Sequence, residues 1–149
     1  MAYQFSYESI EEYHRLGFTV FRQILPPALL ADLRRVTDEA RDMARERSGS
    51  QAQRLQPVAS YELDQQPFQD YAELPELVDA IARVLSPRHR HGNREILGVL
   101  LEPADLPWCT AWHRDWRDNM PGLDIPMWER SLADADLFNQ VNCALYEDN

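Results

Sequence analysis

The residues of this chain best suited to chemistry are His113 and Asp115, within the sequence Trp112-His113-Arg114-Asp115-Trp116. Residues i and i+2 of a β-strand point to the same face, so a strand here would bring the imidazole and the carboxylate side by side. Joined by a distant second histidine, such a pair forms the 2-His-1-carboxylate site that binds non-haem Fe(II) and leaves coordination positions open. A surface pair or a hydrogen-bonded histidine has the same spacing, so the motif needs support from the rest of the chain. The two flanking tryptophans favour a partly buried, apolar wall.

Other cysteine and histidine residues have plainer interpretations. Cys109 lies four residues before His113, but structural zinc needs four ligands and no second Cys/His pair has suitable spacing. As a nucleophile with His113 as base, Cys109 would lie about 13 Å away along an extended strand, beyond hydrogen-bond reach unless a turn shortens the distance. For Cys109 and Cys143 we prefer the role of small buried apolar side chains.

His89-x-His91 lies between arginines and before Gly-Asn, with no nearby carboxylate, which favours a solvated loop.

The composition is that of one acidic globular domain. The 149 residues are enough to bury a core, and a hydrophobic fraction of 44% argues against disorder. The net charge is −10, and all 15 basic residues are arginine, so nucleic acid and anionic membrane surfaces are excluded as partners. The sequence has no apolar run of transmembrane length, no secretory signal pattern and no disulfide framework. These features predict a cytoplasmic protein.

Apolar periodicity predicts three helices. The first covers residues 9–16, with Ser9 and Glu12 as a capping box and Gly17 as its end. The second begins at Pro26-Pro27, where proline is tolerated, and ends near Arg47. The third covers residues 74–85, and residues 50–67 between the second and third helices are predicted to be a loop.

Strands are predicted from β-branched and aromatic runs and from alternation. They cover residues 18–21, 95–101, 110–116 and 138–146, the third of which carries His113 and Asp115. Residues 117–135 contain several proline and glycine breakers and are predicted to be irregular or partly helical.

The order of these elements resembles the N-terminal part of the phytanoyl-CoA dioxygenase family of Fe(II)/2-oxoglutarate oxygenases. Residues 13–21 (YHRLGFTVF) look like the family's opening helix, glycine and strand, and residues 25–30 (LPPALL) look like the start of its first long helix. Residues 112–115 resemble its metal motif, and residues 144–149 look like the strand and turn that follow. The similarity extends over nearly the whole chain, in the family's order.

This resemblance implies an α+β fold with a double-stranded β-helix (jelly-roll, cupin-like) core flanked by N-terminal helices. His113 and Asp115 would bind Fe(II), with 2-oxoglutarate as co-substrate and ascorbate as a supporting reductant. The implied activity is a dioxygenase that hydroxylates a small organic or acyl substrate. Asp115 favours hydroxylation, since halogenating relatives carry a small residue at that position. Arg114 stands where the family often has glutamine, which leaves the substrate class open.

The family also has a second metal-binding histidine and a co-substrate arginine on later strands. All four histidines of this sequence precede Asp115. We therefore expect residues 1–149 to be the N-terminal portion of a single domain that is cut off mid-domain. Strand edges exposed in this way would promote self-association. The alternative is a non-catalytic fragment or pseudoenzyme that binds a ligand or a partner.

Overall fold

The computed structural model describes residues 3–92, 97–102, 126, 129 and 139–146. These residues form four α-helices, a short 3₁₀-helix and one antiparallel sheet of two strands. In chain order the elements are α1 (Glu8–Leu16), α2 (Pro27–Ser48), β1 (Arg54–Leu55), the 3₁₀-helix (Val58–Ser60), α3 (Gln66–Ala72), α4 (Pro75–Leu85) and β2 (Val99–Leu100).

Helix α2 is the element against which most of the described residues pack. It begins at Pro27, where the missing N–H would have had no intrahelical partner. Its buried residues recur three or four positions apart and so form one apolar stripe: Leu33, Val36, Ala40 and Ala44. This stripe faces α3 and both strands, and the main core closes around it with Ala52, Leu55, Val58, Leu63, Phe68, Val99 and Leu101.

A second apolar cluster forms around α4. Its buried members are Leu74, Leu77 and Ile81, and the partly buried side chains against them include Phe21 and Leu29. Helix α4 also contacts α1. The two clusters share Leu29 and Tyr71 as partly buried neighbours, so the helices pack into a continuous body.

The two-stranded sheet is extended on both sides by single backbone bonds. Val58 N–H donates to the Leu97 carbonyl at 2.8 Å, and Leu101 N–H donates to the Gln53 carbonyl at 2.9 Å. Gly98 lies so close to Gln56 that a Cβ on residue 98 would stand 3.0 Å from three Gln56 side-chain atoms. The close approach explains why residue 98 is glycine.

The three predicted helices are confirmed, but the capping box is wrong. Helix α1 begins at Glu8 with Tyr7 as N-cap, which places Ser9 inside the helix. The serine that accepts a backbone N–H at the start of the helix is Ser6, whose Oγ accepts the Glu8 N–H at 3.2 Å. Gly17 ends the helix as predicted, with φ +80°, and its N–H donates to the Tyr13 carbonyl at 2.7 Å.

The strand predicted at residues 18–21 is wrong. These residues form no strand, and Phe18 and Val20 expose 57% and 51% of their surface. The segment is held to α1 by the Thr19 hydroxyl, which donates to a Glu12 carboxylate oxygen at 2.6 Å. Aromatic and β-branched composition gives a preference for extended chain, but a strand forms only where a partner strand can pair with it.

Predictions in the rest of the chain have mixed outcomes. The loop predicted at 50–67 is wrong in part, since it contains β1, the 3₁₀-helix and the start of α3. The strand predicted at 95–101 is confirmed only as β2, and residues 95 and 96 lie outside the described residues. The strand predicted at 138–146 is wrong over 139–146, which pack through side chains and form no strand.

The motif strand at 110–116 lies outside the described residues. Of the segment predicted to be irregular or partly helical, only Pro126 and Glu129 are described, and both are helical and exposed. The jelly-roll core stays a prediction.

Candidate functional site

The predicted metal ligands His113 and Asp115 lie outside the described residues, as do the flanking tryptophans and Cys109. What the structure describes is how the chain is held on either side of them. Glu102 is the last described residue before the motif, and Asn139 begins the described stretch that follows it. Each of these two flanking stretches is attached to the helices.

The first attachment is the end of the sheet. Strand β2 pairs with β1, and Leu101 is buried in the main core, with 7% of its surface exposed. One residue further, the Glu102 carbonyl accepts a long hydrogen bond of 3.5 Å from Arg45 Nη2, near the C-terminal end of α2. The buried Arg45 Nε has no acceptor among the described residues. Backbone pairing and side-chain packing thus fix the main chain as far as Glu102.

The second attachment is residues 139–146, here called the C-terminal strap. At its start the Tyr13 hydroxyl donates to Asn139 Oδ1 at 2.8 Å, which ties the strap to α1. At its end Arg34 Nε donates to the Leu145 carbonyl at 2.7 Å, and the guanidinium lies 5.1 Å from the centre of the Tyr146 ring. Side chains of two helices therefore hold the strap without strand pairing.

The end of the strap also joins a small charged cluster on α2. The Tyr146 hydroxyl donates to Asp38 Oδ1 at 2.9 Å, and Arg41 Nη1 donates to the same oxygen at 2.6 Å. Partial burial, together with the hydrogen bond to the Asp38 carboxylate, raises the pKa of the Tyr146 phenol. The neutral phenol is the donor in this contact, so the fold favours the protonated form.

The middle of the strap faces α3. Burial raises the pKa of the Cys143 thiol, which is therefore held neutral and is a poor nucleophile. Burial also raises the pKa of the Tyr71 phenol, and the nearby Cys143 adds to that shift. Cys143 is half-buried here, in agreement with its predicted role as a small packed side chain.

The two attachments are separated along one rigid helix. Arg34 and Arg45 differ by eleven positions on α2, which corresponds to about 16 Å of helix axis at 1.5 Å per residue. The chain that carries His113 and Asp115 is thus joined to α2 at two levels. Sequence reasoning missed Arg34 and Tyr146, because an i, i+4 pattern identifies the buried face of a helix but does not show what its polar face contacts.

The three histidines that the structure describes lie apart from one another, except for one pair. His14 is exposed in the last turn of α1 and makes an edge contact with the Tyr13 ring. His89 and His91 lie in the turn after α4, with ring centres 5.3 Å apart. Among the described residues no group of three or more potential metal ligands occurs. The loop predicted for His89-x-His91 is confirmed, with His91 exposed and His89 half-buried.

An open groove of about 720 Å³ lies between the N-terminal residues, α1 and residues 20–23. Carboxylates and guanidiniums both line it, among them Glu8, Glu11, Glu12, Arg15 and Arg22.

No family model, no curated protein and no solved structure matches this chain. Among the described residues, no helix has both the length and the apolar character needed to cross a membrane.

Proposed function

We propose that residues 1–149 are the N-terminal part of an Fe(II)/2-oxoglutarate-dependent dioxygenase that hydroxylates a small organic or acyl substrate. The observation that carries the proposal is the His113-Arg114-Asp115 motif between two tryptophans. Its place in the chain supports the proposal: it follows the helices α1, α2 and α4 in the order in which the resembling family has its own helices and metal motif.

The donor types fit the proposed metal. An imidazole nitrogen and a carboxylate oxygen are two of the three ligands of the facial site that Fe(II) oxygenases use. When bound, Fe(II) and 2-oxoglutarate supply the oxidising power for C–H hydroxylation, and 2-oxoglutarate is converted to succinate and carbon dioxide. In the resembling family the second imidazole and the arginine that pairs with the far carboxylate of 2-oxoglutarate come from later strands.

The residues of this chain have three roles in the proposal. His113 and Asp115 hold two coordination positions and leave the others to the co-substrate and dioxygen. The indoles of Trp112 and Trp116 exclude water from one side of the site. The bonds from Glu102 to α2 and from Asn139 to α1 hold the chain on either side of the motif.

The test is succinate release with Fe(II), ascorbate, 2-oxoglutarate and a panel of acyl and small-molecule substrates. The protein assayed is this chain extended through the following His-bearing and Arg-bearing strands. We expect His113→Ala and Asp115→Ala each to abolish turnover with no change in the thermal transition. His14→Ala, on the exposed side of α1, is the matched control and should retain activity. Equal turnover in the His113→Ala protein and the unsubstituted protein would end the assignment.

A second test uses residues 1–149 alone. With two of three protein ligands, this chain should bind Mn(II), a redox-stable substitute for Fe(II), only weakly, and His113→Ala should weaken that binding further. Without the second histidine and the arginine it should release no succinate.

The second candidate is a non-catalytic module that binds a ligand or partner. The number of metal ligands favours this candidate. The family's second histidine lies after the metal motif, whereas every histidine of this sequence other than His113 lies before it. The two candidates differ in one measurement: the extended protein binds 2-oxoglutarate in the presence of Mn(II) if it is an oxygenase. A pseudoenzyme that lacks the site does not.

A further inference from the structure

The turn after α4 holds its first histidine in one tautomer. The Ser86 carbonyl accepts the backbone N–H of His89 at 3.1 Å and lies 2.7 Å from Nδ1 of the same residue. A carbonyl oxygen has no proton to give, so Nδ1 must be the donor in this contact. In the neutral imidazole the lone pair then lies on Nε2, which is the arrangement that second-shell carbonyls impose on metal-binding histidines.

Local backbone contacts fix the turn that presents this imidazole. Ser86 ends α4 with φ +139°, a conformation that non-glycine residues rarely adopt. The Ser86 hydroxyl accepts the Arg88 N–H at 3.1 Å, so both its side chain and its carbonyl bind the residues that follow. Two backbone N–H bonds to Ser86 therefore hold the turn, and one bond from Nδ1 holds the His89 ring.

The second imidazole packs edge-to-face against the first, at a ring separation compatible with a shared metal ion. The centres of the His89 and His91 rings are 5.3 Å apart, with 69° between their planes. With metal–nitrogen bonds of about 2.0–2.1 Å, two imidazoles on one tetrahedral ion have ring centres about 5 Å apart. His91 is exposed, so an ion can reach the pair from solvent and water can complete its coordination.

We propose that His89 and His91 together bind one divalent transition-metal ion such as Zn²⁺, Ni²⁺ or Cu²⁺, with Nε2 of His89 as one ligand. Imidazole suits these ions, whereas Mg²⁺ and Ca²⁺ require oxygen ligands. The proposed ligands differ from His113 and Asp115, the proposed iron ligands.

The charges around the pair predict how the site responds to salt. Arg88 and Arg90 flank the first histidine, and no carboxylate joins the pair among the described residues. The two guanidiniums repel a dication, and salt screens this repulsion. Because the net charge of −10 attracts a dication from further away, the effect of the two guanidiniums is isolated by comparison with Arg88→Gln/Arg90→Gln, in which added salt should raise affinity less, or lower it more, than in the unsubstituted chain.

The experiment uses the tag-free 149-residue chain and Zn²⁺, followed through the imidazole Cε1–H resonances in NMR. We expect Zn²⁺ to shift the resonances of His89 and His91 and to leave that of His14 unchanged. Because the unsubstituted protein reports this result, it does not depend on whether a variant folds. Shifts confined to His14 or His113 would overturn the proposal.

Calorimetry with Ni²⁺ then measures the contribution of each group. We expect His89→Ala and His91→Ala each to weaken binding about tenfold or more, and the double variant Arg88→Gln/Arg90→Gln to strengthen it. His14→Ala is the matched control for loss of an imidazole and should bind as the unsubstituted chain does. The titrations are repeated in the His113→Ala/Asp115→Ala background, which removes the proposed iron site, and replacing His89 or His91 should weaken binding there to the same extent. Unchanged affinity in either single variant at the pair, or the same salt dependence with and without the two arginines, contradicts the assignment.

Discussion

Replacing Arg34 by alanine is expected to release the C-terminal strap from α2 while the helical body stays folded. The substitution removes the Arg34 Nε donor to the Leu145 carbonyl and the cation above the Tyr146 ring. It leaves the buried stripe of α2 intact, because Arg34 lies beside that stripe and is only half-buried.

The size of the effect follows from these two contacts. A hydrogen bond from a charged donor contributes about 1.5–3 kcal/mol, and the half-buried position of Arg34 favours the lower end. A cation–π contact at an exposed site contributes about 0.5–1 kcal/mol, and Tyr146 exposes 52% of its surface. A loss of about 2 kcal/mol in the free energy of strap opening corresponds to a roughly 30-fold increase in the open population.

The rate at which a thiol reagent labels Cys143 measures this population, because Cys143 is half-buried in the middle of the strap. The experiment is done with Cys109→Ser, which removes the other cysteine. In Arg34→Ala labelling should be faster by up to about 30-fold, while the amides in the middle of α2 keep their protection from hydrogen exchange. The matched control is Arg35→Ala, whose guanidinium pairs with Glu39 and Asp64. Equal labelling rates in the Arg34 and Arg35 variants would refute the idea that Arg34 holds the strap, and uniform loss of protection along α2 would show that the body had unfolded.

Three further outcomes are expected. Gly98→Ala should lower the free energy of unfolding by about 1–3 kcal/mol in urea denaturation, because its Cβ would meet Gln56 at 3.0 Å, and Gln56→Ala should partly restore stability. Val36→Ala should cost about 2 kcal/mol by the same measurement, since Val36 is fully buried, whereas the exposed Glu46→Ala on the same helix should cost little. Burial raises the pKa of Tyr71 in the folded state, so the phenol of the unfolded state loses its proton first as the pH rises. The free energy of unfolding should therefore fall above about pH 10. Tyr71→Phe should reduce this fall, as measured by thermal unfolding at a series of pH values.

The helices could be predicted from the sequence because each carries its own evidence. The buried residues of α2 recur at three- and four-residue spacing, and Gly17 provides the left-handed residue that ends α1. The position of the α1 N-cap could not be predicted, since Ser6 and Ser9 both precede a helical run and only the tertiary fold decides between them. Short elements such as β1 are too brief to show a period, and they form because β2 pairs with them from 46 positions away in the chain.

The strap shows a different limit of sequence reasoning. Alternation at Val141, Cys143 and Leu145 predicts a strand with one buried face, and Cys143 and Leu145 are indeed half-buried. Val141 is exposed, however, and the backbone of the strap is held by Arg34. Alternation identified part of the face that packs, but it could not show whether the partner is a strand or a helix. The His113 and Asp115 site remains a prediction from the motif.

The contact between Tyr13 and Asn139 also bears on the order of folding. If the contact forms directly from the unfolded chain, it closes a loop of 126 residues. The length-dependent part of the entropy cost of closing that loop is about 4 kcal/mol. Once β2 has docked, the loop still to be closed runs only from Glu102 to Asn139, and the cost falls to about 3 kcal/mol. The sheet should therefore form before the strap docks. Contacts made after the transition state affect unfolding more than folding, so substitutions in the strap should accelerate unfolding and leave the folding rate nearly unchanged.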